Sequence, residues 1–159
     1  MGIAYFRMES GSAMIRPLEP LDHAAWLPLW NGYLTFYEHT LDDAKSARTF
    51  ARLVDPEGDI FGFAAFDGDA MVGITHYLFH TTTWDDVPRC YLNDLFTLPT
   101  ARGKGVARNL IEAVYDAARK QDAEQVYWTT QEFNSTARVL YDKVAAKTPF
   151  IKYAKVFDQ

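Results

Sequence analysis

Cys90-Tyr91-Leu92-Asn93-Asp94-Leu95-Phe96-Thr97-Leu98-Pro99-Thr100-Ala101-Arg102-Gly103-Lys104-Gly105-Val106-Ala107-Arg108 contains the change of pattern on which the fold turns. Residues 90–98 are an apolar run of strand length, and Pro99 ends it. From Val106 the apolar residues Val106, Ala107, Leu110, Ile111, Val114, Ala117 and Ala118 recur at helical spacing, with Arg108, Asn109, Glu112, Asp116 and Arg119 opposite. Between strand and helix, Gly103 and Gly105 permit backbone angles closed to other residues. The helix start adds unpaired N–H groups and a positive dipole end. Arg102, Lys104 and Arg108 place positive charge at the same end, as a diphosphate group requires. The loop is neither Gly-x-x-x-x-Gly-Lys-Ser/Thr nor Gly-x-Gly-x-x-Gly, so nucleoside-triphosphate and dinucleotide readings lack their fingerprints.

Outward from this unit, residues 60–66, the turn Asp67-Gly68-Asp69 and residues 71–79 read as a β-hairpin. A short strand over 14–18 comes first in the chain. It is followed by a helix with Trp26, Leu29, Trp30, Tyr33, Leu34 and Tyr37 at helical spacing, started by Asp22 and kinked or begun at Pro28, and by a helix over 43–54. Downstream lie a buried strand over 126–130, a helix over 135–144 and a closing strand over 150–157 with alternating apolar positions. The expectation is an α/β (α+β) protein in the order β-α-α-β-β-β-α-β-α-β: a mixed, mostly antiparallel sheet of six to seven strands with flanking helices. No repeat or linker divides it, so residues 14–159 read as one domain and residues 1–13 as a tag or N-terminal extension.

The chain has 159 residues, 48% hydrophobic and 15% aromatic, with a net charge of −5. That composition excludes a disordered chain. The acidic balance argues against a nucleic-acid or anionic-membrane partner, and cationic or neutral small molecules suit it better. One cysteine, Cys90, rules out an intramolecular disulfide framework and a thiolate zinc site. No apolar run is long enough to span a bilayer and no signal-peptide pattern opens the chain, so a cytoplasmic location is expected. His76 and His80, four residues apart on a strand, are separated by roughly 13 Å, too far for one metal ion.

The segment 91–97, then Arg102-Gly103-Lys104-Gly105-Val106-Ala107, then Asn134-Ser135-Thr136-Ala137-Arg138-Val139-Leu140-Tyr141 resembles the GCN5-related N-acetyltransferase family. Within it, the similarity is greatest to the branch of polyamine and yeast-type amino-acid and polyamine acetyltransferases. The family's Arg/Gln-x-x-Gly-x-Gly/Ala loop matches Arg102, Gly105 and Ala107. Its Asn, seven residues before the Tyr of a Leu-Tyr pair, matches Asn134 and Tyr141.

The resemblance implies an acetyl-CoA-dependent N-acetyltransferase with no metal, in which an amine attacks the thioester directly in a ternary complex. The strands over 90–98 and 126–130 are then expected to splay, freeing backbone groups of Leu95, Phe96 and Thr97 for the pantetheine arm. Arg102, Gly103, Lys104, Gly105, Val106, Ala107 and Arg108 would hold the pyrophosphate, and Asn134, Thr136 and Ala137 would complete the cofactor site. A backbone N–H near Phe96 would stabilise the oxyanion, and Tyr141 would protonate the leaving thiolate. Polyamine-acetylating relatives carry Glu-Asp where this chain has Asn93-Asp94, so one carboxylate of that pair is missing. Strand alternation points Asn93 and Asp94 to opposite faces, with one of them on the cleft. Asp94 and Glu132 are both candidate bases, and Asp94 is also a candidate ammonium ligand. Tyr33, Tyr37, Glu38, His76 and Asn93 are further candidate acceptor contacts. The acceptor is expected to be a polyamine, an amino acid or a related small amine. A protein lysine or N-terminus, or a non-catalytic acyl-CoA-binding module, would fit the same residues. A homodimer through the C-terminal strands is expected.

Overall fold

The computed structural model describes residues 13–158 and divides into two compact units, one running to Thr129 and the other starting at Thr130. The expected N-terminal extension lies outside the described residues, apart from Ala13.

In the first unit, β1 (Met14–Pro17) leads through a 3-10 turn (Pro20–Asp22) into α1 (His23–Phe36) and α2 (Asp43–Leu53). The hairpin β2 (Ile60–Asp67) and β3 (Ala70–His80), then β4 (Arg89–Thr97), a 3-10 turn (Pro99–Ala101), α3 (Val106–Lys120) and β5 (Val126–Tyr127) follow. The strands form one five-stranded sheet in the order β1-β2-β3-β4-β5. The first four pair antiparallel and β5 joins β4 in parallel.

The sheet is covered on both faces. Trp26, Leu29, Trp30 and Leu34 of α1 and Phe50 and Leu53 of α2 pack on Ala64, Phe66, Met71 and Ile74. On the other face Val106 and Leu110 of α3 meet Ile15, Ala65 and Val72. Two glycines set how closely the helices approach. A Cβ at Gly32 of α1 would lie 2.8 Å from the Phe96 ring, and one at Gly73 of β3 would lie 2.9 Å from Val106 and 3.0 Å from Leu110. The N-terminal turn of α3 is thereby pressed onto β3, which fixes the loop before it. Pro28 sits inside α1, where it leaves the Ala24 carbonyl without the i+4 donor it would otherwise have. Asp22 holds the entry to α1 by accepting two hydrogen bonds from Arg16, at 2.7 and 2.9 Å, and one from the Glu19 backbone at 2.8 Å.

The second unit contains α4 (Ser135–Val144), followed by residues 145–158 without regular structure. The expected closing strand over 150–157 is therefore corrected: among the described residues the sheet has five strands, not six or seven, and β5 stops at Tyr127. Alternating apolar residues specify only which faces a strand would show. A strand also needs a ladder partner, and residues 150–157 pair with none among the described residues.

Candidate active site

The edge of β4 is where the sheet opens. β5 pairs with it only at Cys90↔Val126 and Tyr91↔Tyr127. From Leu92 to Thr97, β4 is bonded to β3 on one side and has no strand on the other among the described residues. A stretch of extended backbone thus faces outward, suited to an elongated ligand with its own amide groups.

Beyond that edge lies the glycine loop. Gly103 and Gly105 both adopt the left-handed region, with φ of +77° and +79°. Gly105 caps α3, whose first hydrogen bond is Asn109 N–H to Gly105 carbonyl at 3.0 Å. No heavy atom comes within 4 Å of a Cβ built at either glycine, so their conformation is not imposed by neighbouring side chains. The initial N–H groups of α3, with Lys104 and Arg108 beside them, suit an anionic group such as a diphosphate. Arg102 donates from Nε to the Thr97 carbonyl at 3.3 Å, which ties the loop to the end of β4.

On the face of the sheet covered by α1, Asp94 is the focus of a polar cluster. His76 Nδ1 lies 2.9 Å from its Oδ2, the Asn93 amide donates to Oδ1 at 2.8 Å, and the Tyr33 hydroxyl also donates to it. Burial alone would raise the Asp94 pKa, but the hydrogen bonds from His76, Tyr33 and Asn93, together with the attraction of His76 when its ring is charged, outweigh it and hold the carboxyl below its ordinary range. The negative charge has the reverse effect around it: burial first, then Asp94, pushes the Tyr33 and Tyr37 hydroxyls upward. Trp26, Trp30, Tyr33 and Tyr37 form a ladder of rings along α1, with centroids 5.4, 5.6 and 5.0 Å apart, leading to this carboxylate.

Two sequence expectations change here. Asn93 and Asp94 do not point to opposite faces, because the β3–β4 register slips between them. Asp94 faces His76 and Leu92 faces Tyr77, leaving Asn93 as the extra residue of a bulge. The bulge brings both side chains together and turns Asp94 and Phe96 to the α1 side while Leu95 packs toward α3. His76 is not an open acceptor contact: it is 4% exposed, and both ring nitrogens are engaged, the second by Trp26. Glu38 follows α1 with a left-handed φ of 54° and is exposed. Sequence reading missed Trp26, Tyr91 and Tyr127 as site residues. The Tyr91 and Tyr127 rings meet at a tilt with centroids 5.0 Å apart where β5 leaves β4, and the Tyr127 hydroxyl lies 2.8 Å from His80 Nε2. Their positions in the two strands flanking the splay were the available signal.

In the second unit, Asn134 is the N-cap residue of α4, its side chain donating to Thr130 Oγ1 at 3.3 Å. Thr136, Ala137 and Tyr141 lie on α4, Tyr141 half-buried. Arg138 donates to the Glu132 backbone carbonyl at 2.6 Å, and the Glu132 side chain is exposed. Among the described residues no group of three His, Cys, Asp or Glu side chains could hold a metal ion.

The model of the acetyltransferase (GNAT) family matches residues 25–145. The chain is 40% identical to a D-amino-acid N-acetyltransferase of Saccharomyces cerevisiae, HPA3, over 152 residues covering 94% of both chains. It is 29% identical to a thialysine N-epsilon-acetyltransferase of Caenorhabditis elegans over 85 residues, 54% of this chain and 52% of that one. In fold it is similar to the structure of AAC(6')-Iy in complex with a CoA-containing bisubstrate analogue, with a TM-score of 0.78 and 17% identity over 91% of this chain and 97% of that one. The chain belongs to the GNAT acetyltransferase family and is an N-acetyltransferase that uses acetyl-CoA.

Proposed function

We propose that the acceptor is a small primary amine that arrives as a cation, in the class of amino acids and polyamines, and that Asp94 receives its ammonium. The observation that carries this reading is the buried, ionised Asp94 carboxylate among Tyr33, Tyr37 and Tyr91, on the strand whose outer edge is open. A carboxylate offers about four acceptor positions. Three are used by His76, Asn93 and Tyr33, which leaves one for a substrate N–H. The tyrosine rings add faces that favour a cation. The D-amino-acid substrates named for the yeast relative support the same acceptor class.

Acetyl-CoA supplies an already activated acyl group, so the protein's task is to position it and manage protons. In this reading the β4 edge at Leu95, Phe96 and Thr97 and the loop from Arg102 to Arg108 bind the cofactor, with Asn134, Thr136 and Ala137 completing its site. The ammonium first gives up a proton. Asp94 held below its ordinary range anchors the amine better than it takes that proton, so water or Glu132 is the acceptor. The amine nitrogen then bonds to the acetyl carbonyl carbon, a backbone N–H near Phe96 stabilises the oxyanion, the C–S bond breaks as the Tyr141 hydroxyl protonates the thiolate, and the proton the nitrogen sheds as the amide forms returns Tyr141 to its neutral state. Tyr37, Glu38 and Asn93 shape the acceptor side. The enzyme acts as a cytoplasmic homodimer.

The test is release of free CoA thiol with D- and L-amino acids, polyamines and lysine peptides as acceptors, comparing wild type with Tyr141→Phe. Turnover of small amines with Tyr141→Phe reduced in kcat supports the reading. Turnover of peptides alone assigns the chain to protein acetylation.

A further inference from the structure

Trp26 on α1, His76 on β3 and Asp94 on β4 form one hydrogen-bond chain across three elements. An indole N–H only donates. His76 Nε2, 3.0 Å from Trp26 Nε1, is therefore the accepting nitrogen, and the ring proton sits on Nδ1, which donates to Asp94 Oδ2 at 2.9 Å. Trp26 is 0% exposed, so no water stands in for its N–H. The imidazole is confined as well: Trp30 meets it edge-on at 5.4 Å, and Gly62, opposite on β2, would bring a Cβ within 3.2 Å of His76 Cδ2.

A second proton on His76 would need an acceptor at Nε2, where the only group on hand is a donor. The neighbouring groups from each packed element offer no substitute. β4 presents Asp94, already bonded at Nδ1, and Tyr91. α1 presents the uncharged rings of Trp26 and Trp30, the Tyr33 hydroxyl turned to Asp94, and Tyr37; His23 lies across Trp26 at 6.0 Å. β2 contributes a glycine at this point, and α2 contributes Phe50 against Trp26.

We infer that Trp26 and His76 are positioning residues that keep Asp94 an uncancelled negative charge for the acceptor: Trp26 denies His76 a second proton, and His76 holds Asp94 with a neutral N–H rather than with a cation. The device makes selection for a cationic amine insensitive to pH across the range in which a free imidazole titrates. It rests on the reading of Asp94 as the ammonium site.

Trp26→Phe keeps a ring and removes the donor. In that variant the space left by the smaller ring admits a water that can accept from Nε2, so the imidazole takes a second proton as pH falls, the resulting imidazolium pairs with Asp94, and the charge is cancelled. The ratio of acceptor KM in Trp26→Phe to that in wild type, which removes the amine's own titration, should rise about tenfold from about pH 8.5 to about pH 6. The KM for acetyl-CoA should not follow it. Adding His76→Asn, which restores a neutral donor that cannot be protonated, should return the ratio to a flat line. A packing role alone would lower stability and leave the ratio constant with pH, and a constant ratio in folded Trp26→Phe overturns the inference. Nitrogen NMR of the wild-type imidazole tests it without a variant: the neutral Nδ1–H form at about pH 7 is expected, and an Nε2–H form or an imidazolium overturns it. If wild type turns over no cationic amine, the acceptor reading fails while the NMR result still stands.

Discussion

Asn93 and Asp94 are consecutive on β4, yet the Asn93 amide donates to the Asp94 carboxylate at 2.8 Å. The pairing exists because the strand carries one residue more than β3 at this point. Asp94→Asn tests what the pairing supports. An amide has one acceptor oxygen, so its NH2 must face a donor among His76, Tyr33 and Asn93, at a cost of about 1–3 kcal/mol in stability. Acceptor kcat/KM should fall about a hundredfold through loss of the charge, with the KM for acetyl-CoA unchanged. Equal losses for both substrates would show that Asp94 supports the site as a whole rather than the amine.

Acid should unfold the protein partly through two carboxylates. Asp94 and Asp22 are both desolvated by burial, but hydrogen bonding and neighbouring charge outweigh that effect, from His76, Tyr33 and Asn93 at Asp94 and from Arg16 and the Glu19 backbone at Asp22. Each therefore titrates lower folded than unfolded. Their contribution is fully present above the unfolded value of about 3.9 and is lost as pH falls through the folded one. Urea melts between about pH 3 and pH 6 should show stability falling toward acid. The slope should be shallower in Asp22→Asn, and an unchanged slope would remove Arg16–Asp22 from the account.

The glycine loop allows a controlled comparison. Gly105 at φ +79° and Gly68 at φ +59°, in the β2–β3 hairpin, are both left-handed and both have open space where a Cβ would go. Alanine at either should cost about 1 kcal/mol of stability through backbone strain. Only Gly105→Ala should weaken acetyl-CoA binding, by about tenfold or more in titration calorimetry. Equal affinities in the two variants would remove the loop from the cofactor site.

The loop, α3 and the hairpin were legible because each is a local device: a proline stop, paired glycines, a 3.6-residue period, an Asp-Gly turn. The bulge at Asn93 was not. Period-2 alternation assumes an unbroken ladder, and the extra residue reverses the faces from Asp94 onward. The hydrogen bond from Trp26 to His76 joins residues 50 positions apart, and helical spacing marked Trp26 only as core. The C-terminal alternation was read as a strand because pattern alone does not say whether a partner edge is present in the same chain.

Cys90 offers a direct check of the β4 core. It is fully buried opposite Val126, and burial pushes its thiol up to about 11. At pH 8 the thiolate is then about a thousandth of the population, and the sulfur is out of reach of reagents. A disulfide reagent should find no reactive thiol in the native protein and one per chain in urea. Rapid native labelling would mean that the β4–β5 pairing opens readily.

The C-terminal arm leads to the last expectation. Phe150, Ile151, Tyr153, Val156 and Phe157 are between 73 and 89% exposed within a short stretch. Apolar side chains at that density normally mark a surface that another chain covers, while Lys152 and Lys155 limit indiscriminate edge pairing. The homodimer proposed above would bury them against a second copy. Sedimentation velocity at micromolar concentration should give a dimer for the full chain and a monomer for a chain ending at Pro149, with the monomer's circular dichroism unchanged in shape. A truncated chain that still dimerises would move the interface elsewhere, and a monomeric full chain would remove the dimer.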